Sequence, residues 1–297
     1  MNQIVFSDQP ELTRPILILA FSGWTDAGRA ASLAVQHLTT TFGATTFAEI
    51  DPDEFYDFTA TRPWVALDGR GQRRMTWPTN TFYSHHDPNG VLDAILFVGT
   101  EPGLKWRVYS QAIVEVAKKF DVRQAVALGA IYGGVSHRGP VPMIGWGSDS
   151  EMQAKLKALD IEAAAYEGPT GVVTSVIFAL ADAGIPTAGL WAALPSYLGN
   201  TPNPKGALAL VDVLARGFGV EAVQDELILT SEEFERNVNA AIKKAKENPG
   251  SVTFEPPEPG QGGTASTEVQ GGPPPELPTG AEAVSDIEEF LRRSRDG

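Results

Sequence analysis

The chain of 297 residues contains no cysteine and only four histidines and four methionines. The absence of cysteine excludes disulfides, thiolate metal sites and a cysteine nucleophile. No apolar run approaches the roughly 20 residues that a membrane-spanning helix needs, and the first residues lack the basic and apolar regions of a secretion signal. We therefore expect a soluble, cytoplasmic protein that makes no contact with a membrane.

Positive charge is also scarce, because 23 lysines and arginines stand against 37 aspartates and glutamates, a net charge of −14. Residues 221–297 alone hold 16 acidic and 7 basic residues. Sequence-independent binding to a phosphate backbone requires clustered basic side chains. We therefore expect no nucleic-acid partner.

Four continuous apolar runs are present, as expected for strands that are covered on both faces of a parallel sheet. They are PILILAF (15–21), VLDAILFVG (91–99), QAVALGA (124–130) and PTAGLWAA (186–193). Apolar residues at helical spacing between them predict helices over residues 26–42, 105–120 and 170–183. This order predicts an α/β fold, a three-layer α/β/α domain over residues 1–219.

Residues 44–86 follow a different pattern. The run ATTFAEID predicts another strand, and the aromatic, charged and proline residues after it have no helical period. We expect a β-hairpin or an extension of the sheet edge in this segment.

The last part of the chain divides into three segments. Residues 220–248 predict a C-terminal helical extension that opens at a capping box of Thr230 and Glu233. Residues 249–280 include eight prolines and seven glycines, a composition that predicts a disordered linker. Residues 281–297 predict a short amphipathic helix that is marginal alone, so it needs a partner, either this protein's own body or another chain.

The common catalytic motifs are missing from the sequence, including a Walker sequence, G-x-G-x-x-G, G-x-S-x-G and H-E-x-x-H. The pair His85 and His86 does not predict a metal site, because neighbouring residues of an extended chain point to opposite faces. We expect neither a metal nor a cofactor.

Loops at the carboxyl ends of the predicted strands are nevertheless rich in polar and aromatic residues. Open α/β sheets bind their ligands at this edge, so we predict a crevice or interface there. Its candidate residues are Ser22, Gly23, Trp24, Asp26, Glu101, Pro102, Trp106, His137, Arg138, Tyr166 and Glu167. We assign no catalytic residue, and Glu101, His137 and Arg138 remain candidates.

Each candidate also has a simpler interpretation. Glu101 is either a general acid or base, or the buried partner of an arginine. His137 either meets a ligand or pairs with a neighbouring carboxylate or carbonyl. Asp26 or Thr25 is placed to cap the helix after the first loop, and Asp26 as the cap would repel an anion at the same amides.

Six blocks of sequence occur in order within residues 15–219, and they are LILAFSGWTDAG, WPTNTFY, FVGTEPGLKW, VALGAIYGGVSHRGPVP, YEGPTGVVTSV and GIPTAGLWAALPSYLGNTPNPKGALAL. Together they resemble the proteasome assembly chaperone 2 family, in its actinobacterial form. The resemblance implies an α/β/α fold similar to that of nucleoside phosphorylases. It also implies a chaperone that self-assembles or binds proteasome α-type subunits.

Two hypotheses follow from this sequence. One is a non-enzymatic, homo-oligomeric scaffold that binds proteasome subunits or other proteins. The alternative is an enzyme or small-molecule binder that holds a nucleoside or anionic ligand in the crevice. Family members that dock on proteasome rings often end in a hydrophobic residue, a tyrosine and one more residue, whereas this sequence ends Arg295, Asp296, Gly297.

Overall fold

The computed structural model describes residues 3–247. Eleven strands occur in this part of the chain: β1 (Ile4–Phe6), β2 (Ile16–Ser22), β3 (Thr45–Ile50), β4 (Trp64–Leu67), β5 (Arg73–Thr76), β6 (Asn80–His85), β7 (Ala94–Thr100), β8 (Gln124–Gly133), β9 (Met143–Gly147), β10 (Glu162–Ala163) and β11 (Thr187–Pro195). Nine of them form one sheet in the order β1-β3-β6-β7-β2-β8-β11-β9-β10, and β4 and β5 form a separate hairpin.

The centre of the sheet is parallel. Strands β7, β2, β8 and β11 are adjacent and parallel, with Ile16 opposite both Ala94 and Gln124. These are the four strands predicted from the apolar runs, and their interior residues are almost fully buried. Strands β6, β3 and β1 extend one side in antiparallel order, and β9 pairs antiparallel with β11 on the other side.

Six α-helices accompany the sheet: α1 (Ala30–Thr41), α2 (Trp106–Lys119), α3 (Ser150–Ala158), α4 (Val172–Asp182), α5 (Pro204–Phe218) and α6 (Asp225–Glu247). Helices α1 and α5 pack on one face of the sheet, and α2 and α4 pack on the other, so that two apolar clusters lie on opposite faces. The predicted α/β fold is therefore confirmed. Across residues 3–247, no helix is long and apolar enough to cross a membrane.

The predicted start of α6 is wrong. The helix begins at Asp225, so Thr230 lies inside it and donates its hydroxyl to the Glu226 carbonyl at 2.7 Å. Leu227 is buried against the main core, and the acidic residues of the first turn favour this earlier start through the helix dipole.

Helices α3 and α5 are additional to the predicted ones. Each begins at a side-chain cap, where Asp149 accepts the Met152 amide and Asn203 accepts the Gly206 amide, both at 2.9 Å.

In the segment 44–86, both expected features occur, because β3 and β6 extend the sheet and β4 and β5 form a hairpin. The predicted linker 249–280 and terminal helix 281–297 lie outside the described residues.

Candidate functional site

Three loops lie at the carboxyl edge of the parallel strands. They follow β2, β7 and β8, which are neighbours in the sheet. The amide of Glu101 donates to the Ser22 carbonyl at 2.8 Å, and the Ser22 hydroxyl approaches the Gly99 carbonyl at 3.4 Å. The first two loops are thus joined directly where their strands end.

Glu101 connects these loops to a third element. Its Oε2 accepts the Trp24 amide at 2.9 Å, and its Oε1 accepts the amide of Val172, the first residue of α4, at 2.8 Å. Both carboxylate oxygens are therefore used by backbone donors. A carboxylate at the first turn of a helix also interacts favourably with the helix dipole.

Glycines make room for this carboxylate. A Cβ atom at Gly23, whose φ is 138°, would lie 2.8 Å from the Cβ of Glu101, and one at Gly171 would lie 2.9 Å from its Oε1. The close approach of two backbone segments to Glu101 explains why glycine occupies both positions.

The aromatic candidates support the same loops. The Trp106 indole N–H donates to the Pro102 carbonyl at 2.5 Å, and the Trp106 ring packs against the apolar cluster on the α2 and α4 face. Trp24 lies half-buried beside Gly171. Tyr166 is 55% exposed and donates its hydroxyl to Pro169 at 2.8 Å, and Glu167 next to it is exposed.

Asp26 caps the start of α1 from inside the protein. Its Oδ1 accepts the amides of Ala31 and Ser32 at 2.9 and 3.1 Å, whereas its Oδ2 is buried without a hydrogen-bond partner in the described part of the chain. Burial raises the pKa of the Asp26 carboxyl. Since Asp26 occupies these amides, the first turn of α1 is a poor cradle for a phosphate.

His137 and Arg138 form a second cluster with α6. The buried His137 ring contacts the Tyr197 hydroxyl through Nδ1 at 2.5 Å and the Asn239 Oδ1 through Nε2 at 3.2 Å. The same Asn239 oxygen accepts the Arg138 Nε–H at 2.9 Å. A neutral imidazole that donates from Nε2 and accepts at Nδ1 satisfies all of these contacts.

A lysine completes this cluster. Lys205 donates to the His137 carbonyl at 2.6 Å and pairs with Glu235 of α6 at 2.5 Å. Beside these contacts, Phe234 and Val238 of α6 pack on Leu198. Polar and apolar contacts together hold α6 against the loop that follows β8.

Acidification should weaken this attachment. Desolvation lowers the pKa of His137 below its ordinary value of 6.5. As the pH falls below 6.5, His137 therefore takes up a proton more readily in the unfolded chain than in the folded chain. The contribution of neutral His137 to the free energy of unfolding is present above pH 6.5 and is lost below it. We expect the unfolding transition to move to lower denaturant concentration between pH 7 and pH 5.5, more than in a His137→Gln variant, as measured by circular dichroism. An equal shift in both proteins would contradict this prediction.

The structure divides the three candidate catalytic residues between these two clusters. Glu101 binds Trp24 and Val172, whereas His137 and Arg138 share Asn239, so the groups have no bonding partner in common. Sequence reasoning did not identify Tyr197, Lys205 and Asn239. A polar residue one position after Val238 on an amphipathic helix is a weak signal, and nothing in the sequence links it to His137.

Among the predicted crevice residues, His137 lines a small cavity. The cavity beside His137, lined also by Lys205 and Phe234, measures about 10 Å³, barely the space for one water molecule. A wider open groove of about 930 Å³ lies at the opposite, amino edge of the sheet, and its lining includes His85, His86 and Lys119.

The two adjacent histidines have structural partners. His85 lies in β6 and stacks on Phe42 with a centroid distance of 4.7 Å, and His86 Nδ1 lies 3.0 Å from Asp93 Oδ1. Among residues 3–247, no group of three or more His, Cys, Asp or Glu side chains is placed to hold a metal ion.

Known proteins of this fold include close relatives in sequence. A PAC2 family protein from Streptomyces avermitilis is 37% identical, with 78% of this chain and 97% of that chain covered and a TM-score of 0.71. A Mycobacterium tuberculosis protein described as a proteasome-assembly chaperone homologue is 31% identical, with 80% and 97% covered and a TM-score of 0.70. No curated protein matches the chain.

A more distant structure shares the fold. PbaB from Pyrococcus furiosus, described as an archaeal proteasome activator, is 19% identical, with 82% of this chain and 100% of that chain covered and a TM-score of 0.64. The profile of the PAC2 family matches residues 20–242 of this sequence. This match spans most of the chain and agrees with the actinobacterial relatives above. The chain therefore belongs to the PAC2 family.

Proposed function

We propose that this protein is a non-enzymatic, homo-oligomeric scaffold of the cytoplasm that binds proteasome α-type subunits or other proteins as an assembly chaperone does. The observation that carries the proposal is its similarity, at 31% identity, to the mycobacterial chaperone homologue. The archaeal proteasome activator of the same fold is consistent with it.

The chemistry of the carboxyl edge supports a binding role. Both oxygens of Glu101 and both ring nitrogens of His137 already have partners within the chain. A general acid or base needs a free position within hydrogen-bonding reach of its substrate. These groups instead fix the loops and α6 in place.

Apolar side chains are exposed along the same edge. Leu104 is 46% exposed in the loop after Glu101, Val108 is 39% exposed in the first turn of α2, and Tyr166 is 55% exposed before α4. Aromatic and apolar side chains on rigid loops are typical anchors of protein interfaces. We propose that Trp24, which is half-buried, supports these loops and belongs to this interface.

The alternative, a nucleoside or anionic ligand held by Glu101, His137 and Arg138, has less support. These residues bind different partners, and the cavity beside His137 has a volume of about 10 Å³. A ligand of drug-like size fills a pocket of roughly 300–1,000 Å³.

A binding assay with a matched control tests the proposal. Purified proteasome α-type subunits of the same organism are titrated with the wild type and with Val108→Asp. We expect the variant to bind about tenfold more weakly, because it places a charge within an apolar interface. Val91→Asp, at a residue that is 77% exposed before β7 on the other edge of the sheet, should bind like the wild type. No binding by the wild type would contradict the proposed proteasome partner, and equal binding by all three proteins would contradict the proposed interface.

A further inference from the structure

The hairpin of β4 and β5 carries four exposed large apolar residues, Trp64, Val65, Leu67 and Met75. We define residues 62–77 as the hairpin arm. All residues of both strands are exposed, and the hairpin forms no hydrogen-bonded pair with the nine-stranded sheet. An isolated two-stranded hairpin is only marginally stable in water, so this arm needs other support.

Its own loop and base supply part of that support. Asp68 Oδ1 accepts the amides of Arg70 and Gln72, both at 2.9 Å, which fixes the turn between the strands. At the base, Trp77 packs edge-on against Phe58 with a centroid distance of 4.8 Å. The arm is therefore ordered at both ends, while its two faces remain open.

One face of the arm carries three apolar residues and one arginine. Val65 lies opposite Met75, and Leu67 lies opposite Arg73, so these four side chains point to the same side. Val65, Leu67 and Met75 are 49%, 69% and 57% exposed. No element among residues 3–247 covers them.

The arm is also basic within an acidic protein. It contains four arginines and one aspartate, whereas the whole chain has a net charge of −14. Residues 248–297 contain nine acidic and three basic residues, and four of the acidic residues fall between positions 282 and 289. The same short segment carries Val284, Ile287 and Leu291 at the spacing of one helix face. The acidic residues and apolar pattern of residues 281–297 thus complement the arginines and exposed apolar residues of the hairpin arm.

The position of the arm permits contact with this segment. Asn239 of α6 bonds to His137 beyond the carboxyl end of β8, and α6 continues to Glu247. The arm precedes β6, whose first residue Asn80 lies opposite Gly99 near the carboxyl end of β7. Both therefore lie toward the same edge of the sheet. The 33 residues from 248 to 280 can reach up to about 100 Å, more than the roughly 45 Å width expected for such a domain.

We propose that residues 281–297 of this chain bind the apolar face of the hairpin arm, with Val284, Ile287 and Leu291 against Val65, Leu67 and Met75. The acidic side chains between 282 and 289 lie near the arginines of the arm. Because the segment is tethered, its effective concentration is about 1 mM. A dissociation constant of about 0.1 mM for the free segment is then enough for the bound state to exceed the unbound state about tenfold.

Amide hydrogen exchange of the arm tests this inference. The full chain is compared with a chain that ends at Gly280. We expect exchange in residues 64–76 to become about tenfold faster after the deletion, and a synthetic peptide of residues 281–297 to restore protection when added at millimolar concentration. Protection should also weaken when salt is raised from 0.1 to 1 M, since the screening length falls from about 10 to 3 Å.

Point variants distinguish direct contact from a general effect on stability. Leu67→Glu in the full chain should remove the protection, because it places an acidic charge on the apolar face. Leu229→Glu, at a residue on α6 that is 65% exposed, should leave it unchanged. Equal exchange in the full and shortened chains would overturn the inference. Protection that survives the deletion and increases with protein concentration would also overturn it, because a second copy would then be the occupant.

Discussion

Replacing Glu101 with glutamine is expected to lower the free energy of unfolding by about 3 kcal/mol. The carboxylate accepts the Trp24 and Val172 amides, and hydrogen bonds to a charged group contribute roughly 1.5–3 kcal/mol each. Glutamine has nearly the same shape but brings an NH₂ group to one of the two amides, so a donor then faces a donor. Chemical denaturation followed by circular dichroism measures the loss.

A local readout separates this role from a general loss of packing. In the Glu101→Gln variant, amide exchange should increase first in the loop after β2 and in the first turn of α4, where the two donors lie. Glu115→Gln is the matched control, because Glu115 is exposed on α2 and its replacement should change stability by less than about 0.5 kcal/mol. A Glu101→Gln variant as stable as this control would show that the carboxylate does not hold the loops.

Gly129→Ala is expected to destabilise the protein by about 2–3 kcal/mol through overpacking. A Cβ atom at Gly129 would lie 2.3 Å from Cδ1 of Trp191, and one at Gly189 would lie 2.5 Å from the far end of the same indole ring. The ring therefore lies across two glycines on adjacent central strands. Thr25 lies in the loop after β2, and its carbonyl accepts the Ala130 amide at 2.7 Å. A displacement of β8 by the added methyl group should therefore also reach this loop.

Thermal unfolding with tryptophan fluorescence checks this prediction. The midpoint should fall by roughly 4–12 °C for a domain of this size, with a change in the folded-state emission because Trp191 must move. Gly134→Ala is the control, since no atom lies within 4 Å of a Cβ at that position, and it should unfold like the wild type. Equal midpoints for the two variants would contradict the packing argument.

The centre of the fold was predictable because burial alone determines it. Strands β2, β7, β8 and β11 are covered on both faces, so their sequences are continuously apolar. Helix α5 was not predicted, because its cap Asn203 and first residue Pro204 lie in a segment rich in turn-forming residues. The pattern of residues 44–86 predicted the general position of the hairpin. It did not predict the exposure of its apolar residues, because their spacing is the same as in a buried strand.

The sequence predicted the location of the candidate site but not the contacts within it. The rule that loops meet at the carboxyl edge of parallel strands brought Ser22 and Glu101 together correctly. The partners of each side chain did not follow, because Glu101 takes its donors from residues 77 and 71 positions away, and His137 bonds to a residue 102 positions away. Contacts between such distant segments depend on the packing of α4 and α6, which a local pattern does not contain.

Native mass spectrometry of the protein, purified gently from its own host, tests the proposed function most directly. One spectrum reports the number of subunits, any retained protein and any retained small molecule. We predict a homo-oligomer that retains proteasome α-type subunits or another defined protein and carries no stoichiometric small molecule. A species without a protein partner that holds a stoichiometric small ligand would contradict the scaffold proposal and favour a ligand site at the crevice.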